Sequence, residues 1–295
     1  MKTKIFEGSA VAIATPFIEN KVNFKELKKL IEYQIANKTD AIVVCGTTGE
    51  SSTMSEEEIL ETIKFTVDTV NKRVPVIAGT GSNCTNTAIR RTKFSEKVGA
   101  DGVLLVTPYY NKTSQQGLIA HYAEIAQATT LPILLYNVPS RTGVNIEPQT
   151  VAELAKIDNI VGIKEASGNI SQIAKIARVI PDDFSIYSGN DDQILPILSL
   201  GGKGVISVLA NILPKQTHDI VASFLNQDIE KSRNLQLQYL DLIQLLFSDV
   251  NPIPVKEALN IMGFDYKEPR KPLIRLNEEK QKALKKEMKK QNIIK

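Results

Sequence analysis

Asn159-Ile160-Val161-Gly162-Ile163-Lys164-Glu165 is a short, nearly continuous apolar run that ends on two charges. A parallel strand buried on both faces reads this way. The same texture recurs at Ser9–Phe17, Ala41–Gly46, Pro75–Gly81, Gly102–Pro108, Ile133–Val138, Phe184–Gly189 and Gly204–Leu209, most of these runs closing on Gly, Pro, Thr or Asn. Helical patterns lie between them. In Asn23–Ala36 the apolar residues Phe24, Leu27, Leu30, Ile31 and Ile35 recur at helical spacing. Ser55-Glu56-Glu57-Glu58 is a capping box in front of the next helix, with the Ser55 hydroxyl accepting from the N3 amide while Glu58 reaches back. Further helical segments are expected near Thr85–Val98, Ser114–Ala128, Pro148–Ala155, Ile170–Val179, Ile194–Leu200 and Lys215–Leu225.

Eight strand–helix units in series predict an α/β chain closed as a (β/α)8 TIM barrel with additional C-terminal helices. A doubly wound open sheet is the rival, but the phosphate loop G-x-G-x-x-G after its first strand is missing. After about Asp228 the alternation stops. Residues 1–227 are therefore expected to form the catalytic barrel and residues 228–295 a helical extension packed on it, through Ile229–Phe247, Pro254–Met262 and Glu278–Gln291. No Gly/Ser linker marks an independent second domain.

The chain has 295 residues, of which 42% are hydrophobic and 23% charged, ample apolar content for one large core. No run of about 18 apolar residues suggests a membrane span. The opening MKTKIFEGSAVAIATPF has a basic start, but Glu7 breaks its apolar stretch and no cleavage pattern follows, so a first barrel strand is the better reading of it. The two cysteines, Cys45 and Cys84, make no disulfide framework and fit a reducing cytoplasm. The net charge is only +3, with most of the basic excess in the tail from Lys282, read as the solvated face of a terminal helix rather than a nucleic-acid patch.

In such barrels the active face lies at the C-terminal ends of the strands. The residues gathered there include Thr47, Thr48, Thr107, Tyr109, Tyr110, Tyr136, Asn137, Lys164, Glu165, Ser188, Gly189 and Ser207. His121 and His218 fall within predicted helices, so neither a histidine base nor a metal centre is expected. Lys164 puts an amine at the mouth of the sixth, otherwise apolar strand. Loss of hydration in a barrel interior disfavours an ammonium, and a neutral amine attacks a ketone to form an imine that serves as an electron sink. The competing reading pairs Lys164 with Glu165, but strand alternation turns the two to opposite faces. Tyr136 ends the neighbouring strand, where it can shuttle protons. Gly46-Thr47-Thr48-Gly49-Glu50 leads into the capped helix and suits a carboxylate, although such a turn could equally be a plain connection. Arg141 offers a bidentate guanidinium for a second carboxylate or is simply an exposed loop residue.

Together these motifs resemble the dihydrodipicolinate synthase (4-hydroxy-tetrahydrodipicolinate synthase) family, within the N-acetylneuraminate lyase-like class I aldolases. The similarity runs from about Phe6 to the C-terminus. It is carried by GTTGES at Gly46–Ser51, AGTGSN at Ala78–Asn83, TPYYNK at Thr107–Lys112, YNVPSRTG at Tyr136–Gly143, GIKEASGN at Gly162–Asn169, YSGNDD at Tyr187–Asp192 and NPIPVK at Asn251–Lys256. The resemblance implies condensation of pyruvate with aspartate 4-semialdehyde on the way to diaminopimelate and lysine. It implies Lys164 as the imine-forming residue and a proton relay of Thr48, Tyr110 and Tyr136, with Tyr110 reaching the neighbouring subunit's site across a tight dimer. By the same resemblance Thr47 and Thr48 hold the pyruvate carboxylate, Arg141 receives the semialdehyde carboxylate, and Gly189 and Ile206 line the floor. No organic cofactor or catalytic metal is implied, because the lysine supplies the electron sink. The assembly implied is a homo-oligomer, a dimer or a tetramer of two tight dimers.

Arg141 separates this reading from its nearest rival, a sialic-acid or keto-sugar-acid lyase, whose loop after the tyrosine strand generally lacks the arginine. A non-catalytic binding barrel would have lost Lys164 or its relay. A phosphate-handling isomerase would want its glycines after the last strands, whereas Gly201-Gly202-Lys203-Gly204 precedes the eighth. One departure concerns feedback. Ser51, Asn83 and Tyr109 match the effector site of lysine-inhibited members, but Thr87 stands where an acidic residue would hold the lysine amine, and Glu56 and Ile59 replace the usual histidines. Weak or absent inhibition by lysine is expected.

Overall fold

Each apolar run becomes one strand, because each has two faces to bury. The computed structural model describes residues 2–295. Among them, eight parallel strands close in chain order: β1 (Gly8–Ala12), β2 (Ala41–Val44), β3 (Val76–Gly79), β4 (Gly102–Val106), β5 (Ile133–Asn137), β6 (Ile160–Glu165), β7 (Ser185–Ser188) and β8 (Gly204–Ser207). β8 pairs back onto β1, with Ala10 opposite Ile206, which completes a (β/α)8 barrel.

Alternation along the strands divides the core in two. Ala10, Ala12, Ala41, Val43, Ile77, Leu104, Leu134, Tyr136, Tyr187 and Ile206 form one cluster in the barrel interior. Val11, Ile42, Val44, Val103, Leu105 and Ile163 join the larger cluster between strands and helices. Phe6 stacks on Tyr187 with ring centres 4.3 Å apart, and the Tyr187 hydroxyl donates to the Phe6 carbonyl.

The capping box forms as expected: the Ser55 side chain accepts from the Glu58 amide, and the Glu58 carboxylate accepts from the Ser55 amide. Two boundaries differ from the expectation by more than two residues. The first run leaves the barrel at Ala12 instead of continuing to Phe17. The Ala14 amide donates to the Asn211 side chain and Pro16 has no amide to give, so Phe17–Ile18 pairs instead with Lys21–Val22 in a small hairpin. The segment expected as one helix, Ile229–Phe247, is two, Ile229–Gln238 and Leu240–Leu246, meeting at Tyr239. The first packs on the helix Pro214–Leu225 and the second on the helix Glu278–Lys290, and the chain bends to serve both.

The later helices are tied to the barrel by polar contacts as well as apolar ones. Lys256, in the helix Ile253–Ile261, pairs with Glu50 at 2.6 Å, each side chain 1% exposed. Glu50 also accepts from the Arg270 amide, and the Arg270 guanidinium pairs with Glu58 of the capping box. The Tyr266 hydroxyl donates to the Ala14 carbonyl. A buried pair contributes little net stability, but removing one partner strands the other charge. Lys256→Ala should therefore destabilise the chain by about 3–5 kcal/mol, read from denaturant unfolding. A loss under about 1 kcal/mol would show that water or another cation reaches Glu50.

Candidate active site

The site is built where β5, β6 and β7 end. Tyr136 of β5 lies opposite Lys164 of β6 in the sheet register, and Lys164 lies opposite Tyr187 of β7. Paired residues on parallel neighbours share a face, so all three point into the barrel. Lys164 is 6% exposed, and its Nζ sits over the Tyr136 ring, 4.3 Å from the centre. The amine thus lies against the face of the phenol ring.

Glu165 turns the opposite way, as alternation requires. Its carboxylate is buried against Asn137, whose Nδ2 donates across 3.0 Å, and the Ser167 amide, 2.7 Å away. Burial raises its pKa, partly offset by those bonds. Lys164 is thus not paired with its sequence neighbour. Behind the site, the Asp191 carboxylate accepts from the amides of Val208 and Leu209 at 3.0 and 2.8 Å. Burial pushes its pKa up, against hydrogen bonds from Ser207 and those two amides and against the charge of Lys164.

Thr47 and Thr48 follow β2 in the turn before the 3-10 turn Ser51–Thr53; Thr47 is half-buried and Thr48 buried. Gly189 lies at the end of β7, its amide donating to the Glu165 carbonyl across 2.8 Å. A Cβ there would stand 2.7 Å from the Ala166 Cβ and 3.0 Å from the Lys164 Cε, so only glycine leaves the lysine its room. Ile206 is buried in the interior cluster with Tyr136. Arg141 lies in the helical turn Pro139–Thr142, exposed, its Nη2 3.4 Å from the Asn251 carbonyl. Tyr110 stands apart: it is 92% exposed, adopts a φ of +69°, and among the described residues makes no hydrogen bond to Thr48 or Tyr136.

Both histidines lie in helices. Burial pushes the His121 pKa down to about 4, and its Nδ1 meets the Thr85 hydroxyl at 2.9 Å. His218 pairs with Asp40 at 2.8 Å, and the bond to that carboxylate raises its pKa. A surface groove of about 1070 Å³ lined by Phe17, Thr53, Lys267, Arg270 and Ile274 contains none of the residues expected in the site.

Asn251, Glu50 and Lys256 went unassigned in the sequence reading. The Asn251 side chain donates to Thr48 Oγ1 across 3.0 Å. A charge inside the apolar run Ile253-Pro254-Val255-Lys256 was the available signal for a buried partner.

A (β/α)8 barrel with a buried lysine at the mouth of its sixth strand and a tyrosine ring against its amine has the make-up of a Schiff-base lyase. The chain belongs to the dihydrodipicolinate synthetase family, whose model matches residues 5–291. It is 56% identical over 291 residues to a 4-hydroxy-tetrahydrodipicolinate synthase of Clostridium perfringens strain SM101, covering 99% of this chain and 100% of that protein. It is 58% identical over 283 residues to the enzyme of that name from Caldicellulosiruptor bescii, covering 96% of each. The crystal structure of dihydrodipicolinate synthase from Aquifex aeolicus is similar in fold, with a TM-score of 0.96 at 43% identity, covering 98% of this chain and 99% of that one.

The crowding at Gly189 gives a direct test. Gly189→Ala should cut borohydride trapping of pyruvate on the protein at least about tenfold, by pushing the lysine stem aside. Trapping at the original rate would show that the lysine moves freely.

Proposed function

We propose that this chain condenses pyruvate with L-aspartate 4-semialdehyde through a Schiff base on Lys164, the 4-hydroxy-tetrahydrodipicolinate synthase reaction of diaminopimelate and lysine biosynthesis. The observation that carries it is Lys164 itself, 6% exposed in the barrel mouth with its Nζ over Tyr136, in a chain of this family. The Lys164 amine attacks the pyruvate ketone, and loss of water leaves an iminium. A proton then leaves the methyl carbon, and the electron pair flows toward nitrogen to give an enamine. The enamine carbon attacks the aldehyde, whose oxygen takes up a proton, and the amino group of the semialdehyde then adds to the regenerated iminium and expels the Lys164 amine, closing the ring and freeing the product. The lysine is the electron sink, so the chemistry calls on no organic cofactor or metal.

In this scheme Tyr136, Thr48 and Tyr110 pass the protons. The exposure of Tyr110 suits a side chain that completes the site of a neighbouring copy, and we assign the chain to a homo-oligomer built on that contact, a tetramer of two tight dimers. Thr47 and Thr48 hold the pyruvate carboxylate, while Gly189 and Ile206 line the floor. Arg141, exposed at the rim, takes the carboxylate of the second substrate and favours a short anionic aldehyde over a sugar. Residues 1–227 act as the catalytic barrel and 228–295 as the extension packed on it. The free cysteines, Cys45 and Cys84, suit the cytoplasm.

Regulation by lysine is weak or absent in the same reading. Thr87 offers no carboxylate, Ile59 is fully buried, and Glu56 is already engaged by Arg90 and Arg91 at 3.2 and 2.7 Å.

Turnover of pyruvate with aspartate 4-semialdehyde, coupled to the next reductase and followed by NADPH loss, tests the reaction. Activity should vanish in Lys164→Ala with the fold intact. Pyruvate trapped on Lys164 without turnover would keep the imine and redirect the acceptor to sugar acids. Tyr110→Phe should slow turnover by roughly 10²–10⁴, and a near-normal rate would remove Tyr110 from the relay. Inhibition by lysine at low millimolar concentration or below would overturn the regulatory reading.

A further inference from the structure

Asn137 and Glu165, the last residues of β5 and β6, lie opposite each other in the sheet register, one place beyond the pair Tyr136 and Lys164. Alternation turns them to the outer face of the barrel, where both are fully buried. There Asn137 Nδ2 donates to both oxygens of the Glu165 carboxylate, at 3.2 and 3.0 Å, and to Asn145 Oδ1 at 2.9 Å. Asn137 Oδ1 accepts from the Ile146 amide at 3.0 Å, and Glu165 Oε1 from the Ser167 amide at 2.7 Å. The side chains of Asn145 and Gln172 exchange two further bonds, at 2.8 and 3.0 Å, which tie the group to the helix Ile170–Val179.

Both hydrogens and the oxygen of the Asn137 amide are thereby engaged, and an ionised carboxylate only accepts. The amide cannot flip without giving up the Ile146 bond and setting its oxygen against the carboxylate. The contact therefore has a fixed polarity, donor on β5 and acceptor on β6. It sits where both strands stop and their chains part into different turns. Strand ends of this kind open most easily when nothing pins them. Tyr136 and Lys164 are each the covalent neighbour of one member of the outer pair. A slip between the two strand ends would carry the lysine stem away from the tyrosine ring.

We propose that Asn137 and Glu165 are positioning residues for the reaction, their hydrogen bond on the outer face pinning the ends of β5 and β6 so that the Lys164 amine stays over the Tyr136 ring on the inner face. This rests on the assignment of Lys164 as the imine-forming residue made above. Neither residue touches substrate. Their effect is on rate, because a misplacement of about 1 Å at reacting groups costs on the order of 10²-fold. The distance at stake is the 4.3 Å from Lys164 Nζ to the ring centre.

The test follows exchange of the pyruvate methyl hydrogens in deuterated water by proton NMR, with the full chain and no second substrate. In that exchange the C–H pair becomes the enamine double bond, the iminium nitrogen takes the π electrons, and the proton leaves to solvent until a deuteron returns. Glu165→Gln keeps the shape, but its NH2 must face either the Asn137 amide or the Ser167 amide, both donors. Per folded molecule, with folding followed by circular dichroism, it should lower the maximal exchange rate about tenfold or more, while half-saturation by pyruvate changes less than about threefold. Adding Asn137→Asp reverses the polarity of the contact. The new amide on β6 then donates to the new carboxylate on β5 and still accepts from Ser167, while Asn145 and Gln172 turn their amides together to match. This double variant should recover the parent rate to within about threefold. Full-rate exchange in Glu165→Gln beside a dead Lys164→Ala would overturn the inference alone. So would a folded double variant no faster than Glu165→Gln, or a defect confined to pyruvate half-saturation. If Glu165→Gln does not fold, Gln172→Leu, which cuts the outer brace, should slow exchange at least about threefold, and an unchanged rate there would overturn the inference. Exchange that persists in Lys164→Ala would overturn the Schiff-base assignment and this inference with it.

Discussion

A closed ring of parallel strands has no free edge, and everything else in this molecule follows from that closure. Each strand spends its backbone hydrogen bonds on two neighbours, so the ring holds its shape without help from the loops. Closure also brings all the carboxyl ends to one mouth. Residues as far apart in sequence as Thr48, Tyr136, Lys164, Gly189 and Ile206 thereby become neighbours of one interior or its rim. The sheet register then sets Tyr136, Lys164 and Tyr187 side by side. A one-residue slip of β6 would turn Lys164 into the helix layer and Glu165 into the barrel.

The second constraint is polar. Several charges near the mouth are buried, and each is held by specific donors rather than by water. Glu165 is held by Asn137 and the Ser167 amide, one oxygen of Asp191 by two amides of the segment after β8, and Glu50 by Lys256 and the Arg270 amide. Such groups add little to stability in net terms, because their desolvation offsets most of the attraction. They do set geometry, since a buried charge tolerates few alternative positions. The turn bearing Thr47 and Thr48 is fixed this way by the helix Ile253–Ile261 and the segment that follows it. Burial lowers the Lys256 pKa while the Glu50 charge opposes that shift, the balance expected of a pair that stays ionic only because its partner is present.

Much of this was legible beforehand, and for an identifiable reason. Parallel strands buried on both faces are nearly continuous in apolar residues, so a charge at the end of one, as at Lys164, is visible in the sequence. The capping box at Ser55–Glu58 is equally local and formed as read. The misread boundaries were those decided at a distance. Whether the first strand runs to Phe17 depends on Asn211, which takes the Ala14 amide from nearly 200 residues away. The break at Tyr239 reflects two helices packing on different neighbours.

The sequence by itself determined the order of strands and helices, the lysine at the end of the sixth strand and the motifs that go with the family. These depend on residue type and on spacing within one element, where the physics is short-ranged. Tertiary structure decided which way the ends of those elements face and what holds them. It left Tyr110 in solvent, and joined Asn251 to Thr48 and Lys256 to Glu50. Those contacts link groups about 200 residues apart, and a buried hydrogen bond depends on where the chain returns in space, which no local pattern encodes.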